Sequence, residues 1–399
     1  TDPSGNIGQS LEILITVKTN GKPTAHFVID PVFGISNTDF MVNSSTSFDH
    51  EDQVQDLQFR WDWTTDGEWD TQYSSVSEYT HTFTHSGTYN ITLEVTDSHG
   101  NTSKTTSPFI VKGLFKDPRD GNCYQTVLIG GKTWFAENLN YAKNGWCYEE
   151  NENYCDKYGR LYTWKEAINN CPEGWHLSSD EDWMAMERGL GMDESLLHAF
   201  ATRESGEVGK KLKTRNGWNG TKVGDDLYGF SVLPSGYINH STGIQSYGKE
   251  EFAGFWNSTK IENPQMLTRS FSKDIDGIVR IERNDNSAIS VRCVQGISDP
   301  VVMTKEISHK SYTTITAGFE VLTGGGAKTI DVGLCWSTMK NPTIEDRRIN
   351  LGMDVGEYEG TISGLVPNQT YYIRSYARTS DRVAYGNQLT VSTPIALRP

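Results

Sequence analysis

The sequence predicts a multidomain, mostly β protein in three parts: a β-sandwich, an α+β domain and a second β-sandwich. Three observations carry this. The 399 residues exceed what one hydrophobic core fills, so about three domains are expected. Short alternating apolar and polar runs bounded by turn formers occupy both ends of the chain. Helical spacing is confined to the middle, where seven of the eleven tryptophans lie between Trp134 and Trp256 and four of the six cysteines between Cys147 and Cys293.

Composition narrows the partners. A hydrophobic share of 36% with 11% aromatics marks a folded chain. Apolar runs such as residues 11–17 are too short to span a bilayer, and no signal peptide is present, so the chain is expected to be soluble as given or trimmed. Lys and Arg number 36 against 51 Asp and Glu, a net charge of -15, which disfavours nucleic acid and anionic membrane and favours a neutral or cationic ligand. The six cysteines form no Cys-x-x-Cys pair, which argues against structural zinc and leaves disulfides open.

Residues 1–20 begin Thr1-Asp2-Pro3-Ser4-Gly5-Asn6, an echo of Thr96-Asp97-Ser98-His99-Gly100-Asn101, and a β-rich run follows each copy. They are read as the terminal strand of a preceding domain that the chain lacks, or a linker; an ordinary N-terminal strand fits equally. Residues 21–113 form the first sandwich, with strands expected at 59–63 and 89–95. Asp62, Thr64, Asp66, Gly67 and Asp70 fall at calcium-loop spacings, making Asp62, Asp66 and Asp70 calcium candidates. Tyr73 stands where an EF-hand needs its bidentate Glu, so an acidic hydrogen-bonded turn is the expected structure.

Residues 114–297 form the α+β domain. It starts with a hairpin (124–129 and 133–135), has helical character at 161–169, and carries a second helix marked by a Ser178–Glu181 capping box with Trp183, Met186, Glu187 and Leu190 at helical spacing. Residues 298–399 return to alternating strands at 313–319, 332–337 and 371–377.

Three resemblances follow. Pro23-Thr24-Ala25-His26-Phe27, Ser45-Thr46-Ser47-Phe48-Asp49, Arg60-Trp61-Asp62-Trp63 and Gly87-Thr88-Tyr89 with Val95-Thr96-Asp97 together resemble a PKD (Ig-like) domain. The middle domain is similar to the Fibrobacter major-paralogue domain (FISUMP). The resemblance rests on ordered motifs including Tyr158-Gly159-Arg160-Leu161-Tyr162, Cys171-Pro172-Glu173-Gly174-Trp175-His176-Leu177, Gly229-Phe230-Ser231-Val232-Leu233-Pro234, Phe255-Trp256-Asn257-Ser258-Thr259 and Ser290-Val291-Arg292-Cys293-Val294. Gly364-Leu365-Val366-Pro367-Asn368-Gln369-Thr370-Tyr371 and Ala384-Tyr385-Gly386-Asn387 make the last domain resemble a fibronectin type III-like module, expected to act as a spacer. The second resemblance implies a C-type-lectin-like fold, a secreted or surface location, and disulfides Cys171–Cys293 and Cys147–Cys155. Cys123 and Cys335, in predicted strands, are expected as buried thiols. Glu262-Asn263-Pro264 is a scrambled version of the tripeptide that animal lectins use for calcium-bridged sugar binding, so stacking and direct hydrogen bonds are expected instead.

Trp134, Trp164, Trp175 and Trp183 sit on periodic elements and are expected in the core. Candidate sugar-stacking rings are those in irregular stretches: Trp146, Tyr148, Trp218, Tyr247 and Trp256, with Asn257, Glu262, Arg269 and Asp276 as polar contacts. Hydrolase and phosphate-loop signatures are missing, the nine histidines form no ligand-spaced cluster, and the chain is not expected to be an enzyme or to need a cofactor. The expected function is non-catalytic capture of a neutral, β-glucan-like polysaccharide within a polysaccharide utilisation system. The protein would be a monomeric lipoprotein on the extracellular face of a bacterial outer membrane, its anchor outside this chain, with outer-membrane transporters as partners. The alternative is an adhesin or fimbria-type surface protein that binds another protein.

Overall fold

The computed structural model describes Ser4 and residues 20–240, 244–262, 265–284 and 286–395, with backbone alone at 260–262. The strand expected in residues 11–17 lies outside these residues. The chain divides into two compact units, Thr1–Val111 and Lys112–Pro399.

The first unit is a sandwich. One sheet orders Val28–Asp30, Asp39–Asn43 and Glu78–Thr82; the other aligns Gln58–Asp62 with Gly87–Thr96 and the first residues of Thr102–Lys116. Alternation turns Phe59, Trp61, Leu93 and Val95 inward onto Phe40 and Phe109. Glu94, on the outer face, is buried by its partners: Tyr73 Oη donates to it at 2.6 Å and Arg60 Nε at 2.5 Å. Burial pushes its carboxyl up, but the hydrogen bonds from Tyr73 and Arg60 hold it below the usual range.

In the second unit the middle domain has two sheets. One orders Trp175–Leu177, Cys293–Gln295, Lys132–Phe135 and Cys123–Ile129; the other orders Ala201–Arg203, Ile278–Asn284, Gln265–Ser272, Phe252–Glu262, Ser235–Asn239 and Gln245–Lys249. The main helix, Asp180–Gly189, is capped one residue later than the sequence suggests, by Ser179 with Asp182 closing the capping box. The helix expected over 161–169 shrinks to one turn, Trp164–Ala167, and the structure adds Glu152–Tyr158, capped by Asn151. Trp134, Trp164, Trp175 and Trp183 are all buried, as expected.

The C-terminal domain is a sandwich of Val301–Lys310, Ile315–Thr323 and Gly356–Ile362 against Arg347–Gly352, Asp331–Ser337, Thr370–Arg378 and two short edge strands. It is not a free spacer. Leu322 packs in the middle domain's core with Trp164, Trp175 and Cys293, and Lys165 pairs with Glu320 at 2.7 Å. Gly326 O accepts from Gly174 N at 3.3 Å and Ser298 N donates to Gly325 O at 2.8 Å. A Cβ at Gly326 (φ +86°) would lie 2.9 Å from Trp175 O, so the close approach demands glycine.

Candidate binding surface

The middle domain's surface is set by what its interior holds. Asp180 and Glu187, one helix face, meet three arginines from three strands. Arg203 Nη1 lies 2.7 Å from Glu187 Oε2, Arg269 Nε 2.6 Å from Glu187 Oε1, Arg269 Nη1 2.7 Å from Asp180 Oδ1, and Arg280 Nη2 2.7 Å from Asp180 Oδ2. Burial raises the Asp180 carboxyl, but hydrogen bonds from Arg280 and the Arg269 charge keep it below the usual carboxylate range. Arg269, expected as a surface contact for sugar, is fully buried in this network. Breaking such a pair strands an unpaired charge in a dry interior, so the residue is committed to the fold.

The strand Phe252–Glu262 runs between neighbours on both sides, which corrects two more expectations. Trp256 is fully buried and donates Nε1–H to Tyr162 O at 2.7 Å. Asn257 is also fully buried; its carbonyl accepts from Trp164 Nε1 at 2.8 Å and its Oδ1 from Thr259 N at 3.0 Å. The Glu262 side chain lies outside the described residues. Trp218, expected to be thrown outward by the turn 216–220, is folded in at 7% exposure. The cause is Lys213, whose ammonium lies 5.0 Å from the Trp218 ring centre and donates to the carbonyls of Ser272 (3.0 Å), Ile275 (2.8 Å) and Lys222. Burial pulls that ammonium down to about 8. Asp276 is half-buried and paired with Lys222 at 2.6 Å.

The remaining rings meet at the hairpin 235–249, which places them on two faces. Tyr237 and Tyr247 are directly opposite across the two strands, with ring centres 5.5 Å apart and planes 27° from parallel. Phe252 meets Tyr237 edge-on at 5.5 Å, and the Arg283 guanidinium lies 5.1 Å from the Tyr237 ring centre. Tyr247 is 41% exposed. Successive strand residues point to opposite sides, so Ile238 faces the other way, into a cluster with Tyr148 and Leu161. Tyr148 is consequently buried, a further correction, and Gly236 (φ +70°) admits it, since a Cβ there would lie 2.6 Å from its ring. Trp146 is half-buried against His240, ring centres 4.6 Å apart. Cys147–Cys155 closes this loop and Lys249 Nζ donates to Tyr154 Oη at 2.7 Å. Of the five candidate rings Tyr247 is the exposed one, and its companions Tyr237, Phe252 and Arg283 went unremarked in the sequence. The signal was available: two tyrosines on facing strands of one short hairpin.

The second disulfide, Cys171–Cys293, is also formed. Cys123, expected as a buried thiol, is exposed because it is the first residue of its strand. Cys335 is buried, and burial pushes its thiol up to about 11. In the turn 62–70, Asp62 Oδ1 accepts from Thr65 N (2.6 Å), its Oδ2 from Gly67 N (3.1 Å), and Asp70 Oδ2 from Trp63 N (2.7 Å). Asp66 is exposed and accepts from Thr64 Oγ1 and Glu68 N. The carboxylates thus shape the turn through its own amides.

With this geometry in view, comparison with known proteins places the modules. Residues 127–295 match the family described as the Fibrobacter succinogenes major domain. Residues 21–111 match a PKD domain. Trp134, Trp164, Trp175 and Trp183, the network of Arg203, Arg269 and Arg280, and the hairpin 235–249 all fall inside residues 127–295. Similar solved structures include the PKD1 domain of Vibrio anguillarum Epp (26% identity, covering 23% of this chain and 96% of that one, TM-score 0.19). The PKD1 domain of the Vibrio cholerae metalloprotease PrtV is alike (26%, 23% and 96%, TM-score 0.18). The sixth fibronectin type III domain of human fibronectin type III domain containing protein 3 follows (21%, 26% and 88%, TM-score 0.19). No curated protein matches the chain in sequence. The Fibrobacter-type and PKD domains mark a surface-associated protein and are of non-catalytic, binding or structural types. Among the described residues no helix is long and apolar enough to cross a membrane.

Proposed function

We propose that the chain is a non-catalytic glycan-binding protein of the bacterial cell surface, and that a neutral polysaccharide docks on the Tyr237–Tyr247 pair of the Fibrobacter-type domain. The observation that supports this reading is the exposed Tyr247 ring, stacked on Tyr237, whose own ring lies against the Arg283 guanidinium. A pyranose offers a face of C–H groups to such a ring and hydroxyls to a guanidinium beside it. The net charge of -15 favours an uncharged polymer, a β-glucan being the type proposed. Attachment by a lipid anchor and membership of a polysaccharide utilisation system, with outer-membrane transporters as partners, complete the proposal.

Affinity electrophoresis against a panel of neutral polysaccharides tests it. At least one should retard the protein, and Tyr247→Ala should abolish the retardation while circular dichroism stays unchanged. The loss should be about 1–3 kcal/mol of binding, the usual worth of a stacking contact. No retardation by any neutral glycan overturns the reading.

A further inference from the structure

Arg283 differs from its neighbours in having no oxygen to bind. Every other arginine of residues 114–297 donates to one, from Arg119 with the Asp117 carboxylate to Arg292 with its three carbonyls. Arg283 is half-buried and, among the described residues, makes no hydrogen bond and no ion pair; its Nε is buried without an acceptor. Burial pulls the guanidinium below its usual value, and the group that pulls it back is the Tyr237 phenol rather than a carboxylate.

Aromatic rings hold it instead. The guanidinium lies 5.1 Å from the Tyr237 ring centre and 5.3 Å from that of Phe252. Such contacts steady a cation but leave its N–H donors without an oxygen. A guanidinium drawn out of water with its donors unused is costly, and an acceptor removes that cost. A sugar hydroxyl is a weak answer, because it replaces one neutral acceptor, water, by another. A carboxylate matches the planar fork through two parallel hydrogen bonds and cancels its charge. The position suits a sugar ligand: Tyr247, the exposed ring, stacks on the same Tyr237, so Arg283 stands one ring away from the stacking surface. The net charge of -15 does not forbid an anion here, since charges more than a Debye length off, about 8 Å at physiological salt, are screened.

We propose that Arg283 is a carboxylate subsite: the polysaccharide that stacks on Tyr247 carries a uronic acid within an otherwise neutral chain, and the acid's carboxylate pairs with the Arg283 guanidinium. This inference rests on the Tyr237–Tyr247 pair as the docking surface and adds the class of sugar that docking selects.

Matched probes test it: glucuronoxylan, gum arabic and polygalacturonate, each beside the same polymer with its carboxyls reduced to primary alcohols. Isothermal titration calorimetry of the full chain at about 0.15 M salt should show at least one acidic polymer bound about tenfold or more tightly than its reduced form. That comparison needs no variant. Arg283→Gln should bring the ratio to within about twofold of unity, and Arg283→Lys, which keeps the charge and loses the fork, should retain part of it. Tyr247→Ala should weaken acidic and reduced polymers alike. Equal binding of each pair, a preference that survives Arg283→Gln, or acidic binding untouched by Tyr247→Ala overturns the subsite, while retardation by neutral polymers still stands or falls by its own test. Binding of acidic polymers with none of the neutral ones supports the subsite and overturns neutral capture. Binding of no acidic polymer overturns the subsite outright.

Discussion

The Fibrobacter-type domain and the C-terminal sandwich face the same demand, that buried backbone groups be hydrogen-bonded, and meet it with different residues. In the sandwich, Asp331–Ser337 lies between Thr370–Arg378 and Arg347–Gly352, and the ladders satisfy the backbone. Its core can then be apolar: Val332, Leu334, Ile373 and Ala377 are fully buried. The Fibrobacter-type domain has long irregular stretches whose carbonyls find no strand partner. Cations take that role. Fully buried Arg292 donates to Phe135 O at 3.0 Å, Phe230 O at 2.6 Å and Ser231 O at 3.0 Å, as Lys213 does to its three carbonyls. Irregular backbone in an interior thus calls for buried charge, and the charge calls for aromatic and carboxylate partners. That is why so many of the domain's polar and aromatic residues are unavailable to a ligand.

Three measurements would break or sharpen this contrast. The largest effect is expected from Cys171→Ser/Cys293→Ser, which opens a link across 122 residues next to the Leu322 contact. Chain entropy predicts a loss of about 4–5 kcal/mol. Urea unfolding should show the Fibrobacter-type domain and the sandwich losing stability together; an unshifted transition would mean the link constrains neither. Next comes Glu187→Ala, which strands the guanidiniums of Arg203 and Arg269 and should cost about 3–5 kcal/mol. A change below about 1 kcal/mol, the value of a surface pair, would erase the distinction drawn here. The smallest effect is a pH dependence. The folded Asp180 carboxyl titrates below its unfolded value, so its contribution is complete above about pH 4 and is lost as pH falls through the folded value. The urea midpoint should decline on acidification, less steeply in Asp180→Asn; a midpoint that rises would show the carboxyl is not held down.

Much of the fold was readable because it rests on periodic patterns. The buried Trp134, Trp164, Trp175 and Trp183 lie on regular elements, and the two disulfides followed from the family resemblance. The candidate surface was less readable. An Asn–Gly-rich turn reads locally as exposed, but the position of Trp218 depends on Lys213, whose cage is closed by carbonyls some sixty residues further on. Trp256, Asn257 and Arg269 lie on strands flanked on both sides, where alternation no longer separates inside from outside. Tyr148 and Tyr247 were assigned to one strip because both are loop tyrosines; the hairpin register sends them to opposite faces.

The seating of Leu322 among Trp164 and Trp175 has a mechanical consequence. Two domains joined by a linker alone can swivel and slacken under load; a domain whose neighbour is wedged into its core cannot. Tension applied at the sandwich would arrive as shear on tightly packed rings, within reach of a covalent cross-link, and the orientation of the hairpin 235–249 relative to the sandwich would hold until that packing gave way.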